Sequence, residues 1–424
     1  MPASSENSLN VFFEDRPVGF VLEDERGLML FEYSREWLDS PNAFPISRSL
    51  PPDGSQLPVE RTHAFFSNLL PEGLVRLAVS RKLGISEGND FALLRAIGGE
   101  CAGALWIGPG RPPATSPTRY RKIDATELAR LARASGVMAG MTGPGVRLSL
   151  AGAQDKLPLL VRDGTYELPL DGAPSSHIMK FQSTAYRDLA LNECVTAELA
   201  RRCGLPVVST TLVELDGTRA CLVERYDRIA TSDRLVRLHQ EDFCQALGLP
   251  PTKKYEQDGG PSFRQCFALL EEASTEPLLD TELLLRWQMM NALLGNADGH
   301  AKNLSLLYGQ DGSVRLAPFY DLVCTLAYPS LSGELALKIG GGSSLGRIGP
   351  RHFDQLSEDC GLGARWVRSV ALALAEKLLE VIGSTAAELA EVSDRGSAAR
   401  SLLRVISKQA KRMRSAFDQA GSNR

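Results

Sequence analysis

Residues 293–308 read LLGNADGHAKNLSLLY, and the fold turns on how this stretch is understood. It sets Asp298, His300, Lys302 and Asn303 within six residues, between one apolar run and the next. A connecting loop is ordinarily polar, so the cluster alone says little. Its neighbours say more. The preceding TELLLRWQMMNALLG (281–295) has the length and apolarity of a buried helix, and Gly295 is a natural stop. LSLLY and VRLAP then flank the turn GQDG as a β-hairpin, and PFYDLV (318–323) follows with Asp321. A hairpin returns the chain to where it began, so Asp321 is expected close to Asn303.

A carboxylate and an amide brought together in this way suit a hard cation. Mg²⁺ takes one or two protein oxygens and fills its remaining positions with phosphate oxygens and water. The spacing also fits a known chemistry. Protein-kinase catalytic loops carry an Asp five positions before a metal-binding Asn, with a second metal Asp later. Here Asn303 follows Asp298 by five positions (303 − 298), and Asp321 supplies the later carboxylate. In that reading Asp298 orients the attacking hydroxyl and accepts its proton. D-x-x-x-x-N by itself recurs by chance; the helix, loop, hairpin and second Asp around it give it weight.

Phosphoryl transfer also needs a cation on the nucleotide phosphates and a loop over them. HIMKF (177–181) puts Lys180 in mid-strand between apolar neighbours, a costly place unless its ammonium reaches a partner or snorkels to solvent. Glu193, on the next helix, is a candidate partner, with Glu198 as a rival. VRLSLAGAQDKLPLLV (146–161) precedes Lys180 and holds a small-residue turn of the kind that lets backbone N–H groups approach phosphate. GGGSSLG (340–346) competes for that role but lies after Asp321 and reads better as a connector. CLVERYD (221–227) ends a strand where a hinge could meet adenine, or where an ordinary ion pair could sit. Other chemistries lack their motifs. There is no G-x-x-x-x-G-K-[ST], no G-x-S-x-G, and no H-x-x-x-H or H-E-x-x-H among the five histidines.

Composition bounds the partners. The 424 residues suffice for two or three domains, and 43% hydrophobic with 23% charged residues is an ordinary globular balance. The net charge of −4 gives no global sign of nucleic-acid binding. Eight scattered cysteines without a C-x-x-C suit reduced thiols. With neither a leader-like start nor an uninterrupted apolar span, a cytoplasmic protein with no membrane association is expected.

Along the chain, β-like runs at 9–33 are followed by a helical stretch, HAFFSNLLPEGLVRLAVSRKLG (63–84). GPGRPPATSPTRYRK (108–122) reads as a linker. Residues 147–226 mix strands with one helix, DLALNECVTAELARRCGLP, for which Asp188 is the expected N-cap and Gly204 the stop. From about 239 the pattern is mainly helical apart from the hairpin. KQAKRMR (408–414) reads as the solvated face of a last helix. The expectation is an α+β, two-lobed chain divided as 1–127, 128–229 and 230–424.

Several long motifs in order extend this reading. FFSNLLPEG, AIGGECAGAL, SLAGAQDK, KYEQDGGPS, NADGHAKN and the FYD segment resemble the HipA-type serine/threonine kinases, the toxin components of bacterial type II toxin–antitoxin pairs. The resemblance covers nearly the whole chain. It implies a two-lobed, protein-kinase-like fold with an added N-terminal subdomain, using ATP and Mg²⁺. It makes Asp298 the catalytic Asp, and Asn303 and Asp321 the metal ligands. Lys180 would contact the ATP phosphates, and Ala151, Gly152, Ala153, Gln154, Asp155 and Lys156 would form the phosphate loop. Glu224, Arg225 and Tyr226 would form the adenine hinge, with Tyr226 where many relatives carry Phe. His300 and Lys302 join Asn303 among the residues expected near the nucleotide. Ser149 matches the family's autophosphorylated serine. The implied partners are a small helix-turn-helix, HipB-like antitoxin, operator DNA reached mainly through it, and a protein substrate such as an aminoacyl-tRNA synthetase or another translation factor. A small-molecule kinase on the same scaffold, or an inactive co-repressor, are the alternatives.

Overall fold

The computed structural model describes residues 7–41, 43–112, 119–133, 150–152, 154–232, 234–390 and 396–422. The chain divides into two compact units. One comprises 1–184, 213–251 and 305–313; the other comprises 185–212, 252–304 and 314–424.

The first unit is built on two antiparallel sheets. Strands β1 (Ser8–Phe13), β2 (Arg16–Glu23), β3 (Met29–Tyr33) and β4 (Leu105–Gly108) pair in the order β3-β2-β1-β4. Leu9, Val11, Val18 and Val21 from this sheet bury against Phe65, Phe66, Phe91 and Leu94 from helices Val59–Ser67 and Asp90–Ile97. The stretch 63–84, expected as one helix, is two. Val59–Ser67 ends at Asn68 and Gly73–Leu83 begins after Glu72. Pro71 lies at the break, where its ring is incompatible with a helix interior, and the break is used: Pro71 forms a parallel bridge with Gly152.

The second sheet consists of β5 (Tyr120–Ile123), β6 (Lys156–Arg162), β7 (Thr165–Pro169), β8 (His177–Phe181), β9 (Thr210–Leu215) and β10 (Thr218–Glu224), in the order β5-β7-β6-β8-β10-β9. Its apolar face, with Leu157, Leu159, Met179 and Leu222, packs on Leu128 and Leu131 of helix Ala125–Arg133.

Two buried polar networks stitch this unit together. Glu100, fully buried in the segment before β4, accepts from Arg225 (3.1 Å) and Arg228 (2.9 Å), and also from Arg237. Asp227 pairs with Arg225 at 2.7 Å and Arg228 at 2.9 Å, and accepts from the Gly103 N–H at 2.8 Å. Three guanidiniums thus share two carboxylates. Burial acting alone would raise the Glu100 carboxyl, but Arg228, Arg237 and Arg225 outweigh it and hold it at about 2.

The second network surrounds Glu241, in the strand His239–Asp242. Strand pairs Arg228–Ala230 with Leu235–Arg237, and His239–Asp242 with Ser305–Tyr308, are β11/β12 and β13/β14. Glu241 accepts from the Ser47 hydroxyl and the Tyr308 phenol at 2.5 Å each, and from the Arg48 N–H at 3.0 Å. Burial dominates these bonds and pushes its carboxyl up from 4.5 to about 7. The folded chain therefore binds a proton that the unfolded chain has lost. The stabilisation is complete below pH ~4.5 and disappears as pH rises through ~7. Glu241→Gln should flatten the fall in unfolding free energy between about pH 5 and 8, an effect on the order of 2–3 kcal/mol, in urea titrations. Parallel pH profiles for the two proteins would contradict it.

The second unit is mainly helical: Leu189–Arg202, Phe263–Ala273, Pro277–Leu294, Pro350–Asp359, Ala364–Ala390 and Gly396–Ser422. Ser262 and Gln265 form a capping box at the start of Phe263–Ala273. Pro277 starts the next helix in the first turn, where a missing N–H costs nothing. That helix buries Trp287, Met289, Met290, Leu293 and Leu294 and stops at Gly295, whose φ of 77° few other residues would accept. Asp188 stands at the N-cap of Leu189–Arg202, but with φ 58° and no capping bond from its side chain. A strand pair, Glu334–Ile339 with Gly342–Ser344, adds to the hairpin expected in this half; GGGSSLG contains its turn.

Candidate active site

The loop after Gly295 is pinned atom by atom. The Ala297 N–H donates to the Thr325 hydroxyl (2.9 Å), and that hydroxyl donates to the Gly295 carbonyl (3.0 Å). The Asp298 N–H donates to Asn296 Oδ1 at 3.0 Å, and the His300 N–H to the Asp298 carbonyl at 2.9 Å. Gly299 is required sterically, because a Cβ there would sit 2.7 Å from Asn291 Nδ2. The result presents Asp298 as an exposed residue on a loop whose neighbours Ala297, His300, Lys302 and Asn303 are buried. A fixed, accessible carboxylate is what a general base must be.

Asn303 and Asp321 converge as the hairpin implied: Asn303 Nδ2 lies 3.4 Å from Asp321 Oδ2. Asn303 Oδ1 accepts from the His300 N–H at 3.0 Å, and the Tyr320 phenol donates to the Lys302 carbonyl at 2.8 Å, so the two segments are fastened one residue before Asn303 and one before Asp321. Asp321 has φ 56°, a left-handed conformation that Asp tolerates better than most residues. Its strain is held from both sides. Phe319 bonds through its N–H to the Pro206 carbonyl (2.8 Å) and through its carbonyl to the Val208 N–H (3.0 Å). Beyond it, the Asn192 side chain exchanges bonds with Cys324 N–H (2.9 Å) and carbonyl (3.0 Å), and the Thr196 hydroxyl donates to the Leu322 carbonyl. Strained residues held this firmly tend to mark functional positions. Glu193 is buried on the same helix as Asn192, whereas Glu198 is engaged by Arg201 (2.9 Å) and Arg202 (2.6 Å).

The residues expected on the phosphates lie in the other unit. Lys180 is buried in β8, directly opposite Lys156 of β6. Gln154 donates to the Phe181 carbonyl (3.1 Å) and the Asp155 carbonyl accepts from the Phe181 N–H (3.1 Å), tying the loop to the strand of Lys180. The Lys156 ammonium donates to the Ala151 carbonyl. Gly152 has φ 110°, its carbonyl accepts from the Glu72 N–H at 3.1 Å, and a Cβ would lie 2.8 Å from Lys156 Nζ. Ala153, Ser149 and Arg147 lie outside the described residues.

At the hinge, Glu224 is exposed at the end of β10 and the Tyr226 phenol bonds Gln240. Arg225 is placed by its side chain. Its guanidinium is buried against Glu100, Asp227, Ser175 and the Cys101 carbonyl, and its N–H donates to the Ser176 carbonyl at 3.0 Å. Its side chain is thus spent on holding residues 100–101, 175 and 227 together. Sequence reasoning missed Tyr255, whose phenol donates to Asp298 Oδ1 at 2.9 Å. Only its place in the KYEQDGGPS motif pointed to it.

Comparison with known proteins then sets the chain among its relatives. The family models of the HipA N-terminal domain and the HipA-like C-terminal domain match residues 9–108 and 148–382. The serine/threonine-protein kinase toxin HipA of Shewanella oneidensis is 34% identical over 321 residues, covering 72% of each chain. This chain belongs to the HipA-type serine/threonine kinase family. A Sinorhizobium fredii protein named "Putative kinase Y4mE" is 39% identical over 91% of both chains. A chain in the solved complex of the Shewanella oneidensis HipA, HipB and operator DNA superposes with a TM-score of 0.85 at 28% identity, covering 97% of this chain and 98% of that one. The two-lobed α+β fold of the HipA family is thereby this chain's fold. Asp298, Asn303, Asp321 and Lys180 fall in the C-terminal match, and Glu100 in the N-terminal one. No described helix is long and apolar enough to cross a membrane.

Proposed function

We propose that this enzyme transfers the γ-phosphate of ATP to serine or threonine hydroxyls of a cellular protein, as the toxin of a toxin–antitoxin pair, and limits itself by autophosphorylation at Ser149. The observation that carries the reading is that the Asn303 side chain, on the loop that presents Asp298, meets that of Asp321, its amide N–H donating to Asp321 Oδ2 at 3.4 Å. The side-chain oxygens of an amide and a carboxylate are both hard donors. The pair fits Mg²⁺, which needs few protein ligands when phosphates complete its shell. Bound there, Mg²⁺ would neutralise charge on the phosphates. Asn303 and Asp321 would hold it, Asp298 would take the proton of the attacking hydroxyl, and Lys180 with Lys156 would offset phosphate charge. The Gly152 loop and the 224–226 hinge hold the nucleotide.

A HipB-like antitoxin is the proposed partner, with operator DNA reached through it. The solved complex of the Shewanella relative supports this, as does a net charge of −4, which disfavours strong DNA binding by the chain alone. Tight, sequence-specific binding of duplex by the isolated chain would contradict that division of labour. The target is a protein, in the class of aminoacyl-tRNA synthetases or other translation factors. Incubation of the purified chain with γ-labelled ATP and cell extract should label protein, with peptide mapping placing phosphate on Ser149 of the chain itself. Label confined to metabolites would establish the small-molecule kinase instead.

A further inference from the structure

We infer that Tyr255 is the positioning residue of the catalytic base: its phenol fixes one oxygen of Asp298 and so aims the other at the incoming hydroxyl. The inference rests on reading Asp298 as the base. The backbone of Asp298 is held on both sides, by Asn296 and His300, while the direction of the carboxylate is set at its own oxygens. The Tyr255 phenol acts there, at 2.9 Å from Oδ1. A carboxylate is planar, so fixing Oδ1 also sets the direction of Oδ2.

The surrounding turn is built to deliver this phenol. The Lys254 carbonyl accepts from the Ala301 N–H at 3.2 Å, fastening the turn to the catalytic loop itself. The Tyr255 ring stands edge-on to His300, with centroids 5.2 Å apart, and the Lys254 ammonium lies 5.4 Å from its centroid. The Tyr255 carbonyl accepts from the Asp258 N–H (3.0 Å) and the Gly260 N–H (2.9 Å), closing the turn on itself. Gly260 permits that closure, since a Cβ there would lie 2.3 Å from the Lys253 carbonyl oxygen and 2.6 Å from that of Tyr255. Glu256 anchors the other side by accepting from the Lys338 N–H at 2.8 Å. Lys254, Glu256, Asp258 and Gly260 thus each brace the turn that carries the Tyr255 hydroxyl to Asp298.

Positioning errors near 1 Å can cost about two orders of magnitude in rate. Loss of one aiming bond, with the ring still packed, should cost about tenfold. Tyr255→Phe keeps the ring against His300 and removes only the hydroxyl. With γ-labelled ATP and soluble cell protein as acceptor, apparent kcat should fall about tenfold, while the KM for ATP and the Tm stay at wild-type values. Asp298→Asn is measured alongside, and adding Tyr255→Phe to it should cause no further loss. An unchanged kcat for Tyr255→Phe beside an inactive Asp298→Asn would overturn the inference alone. So would a change in the KM for ATP at constant kcat, or phosphate mapped to Tyr255 itself. Wild-type transfer by Asp298→Asn would instead overturn the reading of the base.

Discussion

Asp298→Asn should bind Mg·ATP as the wild type does and transfer phosphate more slowly by roughly 10²–10⁴, the loss expected when a positioned base is removed. The substitution is nearly isosteric, and the loop around it is held by backbone bonds that Asn preserves, so the fold should be unaffected. Asp321→Ala should behave differently, because it removes a proposed metal ligand and so weakens Mg·ATP binding together with turnover. Nucleotide titration and initial-rate assays on the two variants separate the roles. Equal transfer by Asp298→Asn and wild type, or unaltered Mg·ATP binding by Asp321→Ala, would contradict the assignments.

The largest effect on stability is expected at Glu100. Glu100→Ala leaves the deeply buried Arg225 and Arg228 to share Asp227 alone and takes the carboxylate partner from Arg237. Removing one partner from a buried ionic network typically costs about 3–5 kcal/mol, because the uncompensated charges stay behind. Urea unfolding should show a loss of that size. The same network predicts the acid limb. The folded-state pKa of Glu100 is depressed to about 2, so its stabilisation is present above the unfolded value of about 4.5 and is lost as pH falls toward 2. Asp227 is held low as well, by Arg225 and Arg228 against the effect of its burial. A Glu100→Ala protein within ~1 kcal/mol of wild type would mean that the cluster is dispensable.

How far the site was legible follows from where its partners lie in sequence. Asp298, Asn303 and Asp321 could be read because a short hairpin links them, and a hairpin has a predictable return. The β1–β3 strands were legible from alternation, and the stop at Gly295 from helix chemistry. Arg225 could not be placed, since the partners that claim it, Glu100 and Ser175, are 125 and 50 residues away. Glu241 meets Ser47 across 194 residues, a distance over which no local pattern carries information. Pro71 is a local signal for the break between helices Val59–Ser67 and Gly73–Leu83. Asp188 has the residue type of an N-cap but takes a left-handed backbone, which the letter alone does not show.

The central claim is that Asn303 and Asp321 hold the metal of a Mg·ATP complex beside Asp298. A crystal structure of the chain with Mg²⁺ and a non-hydrolysable ATP analogue tests it most directly. The account predicts an octahedral ion at about 2.1 Å from oxygens of both Asn303 and Asp321, with phosphate oxygens completing its shell and the γ-phosphate facing Asp298. A nucleotide bound elsewhere, or a metal that touches neither residue, would contradict it.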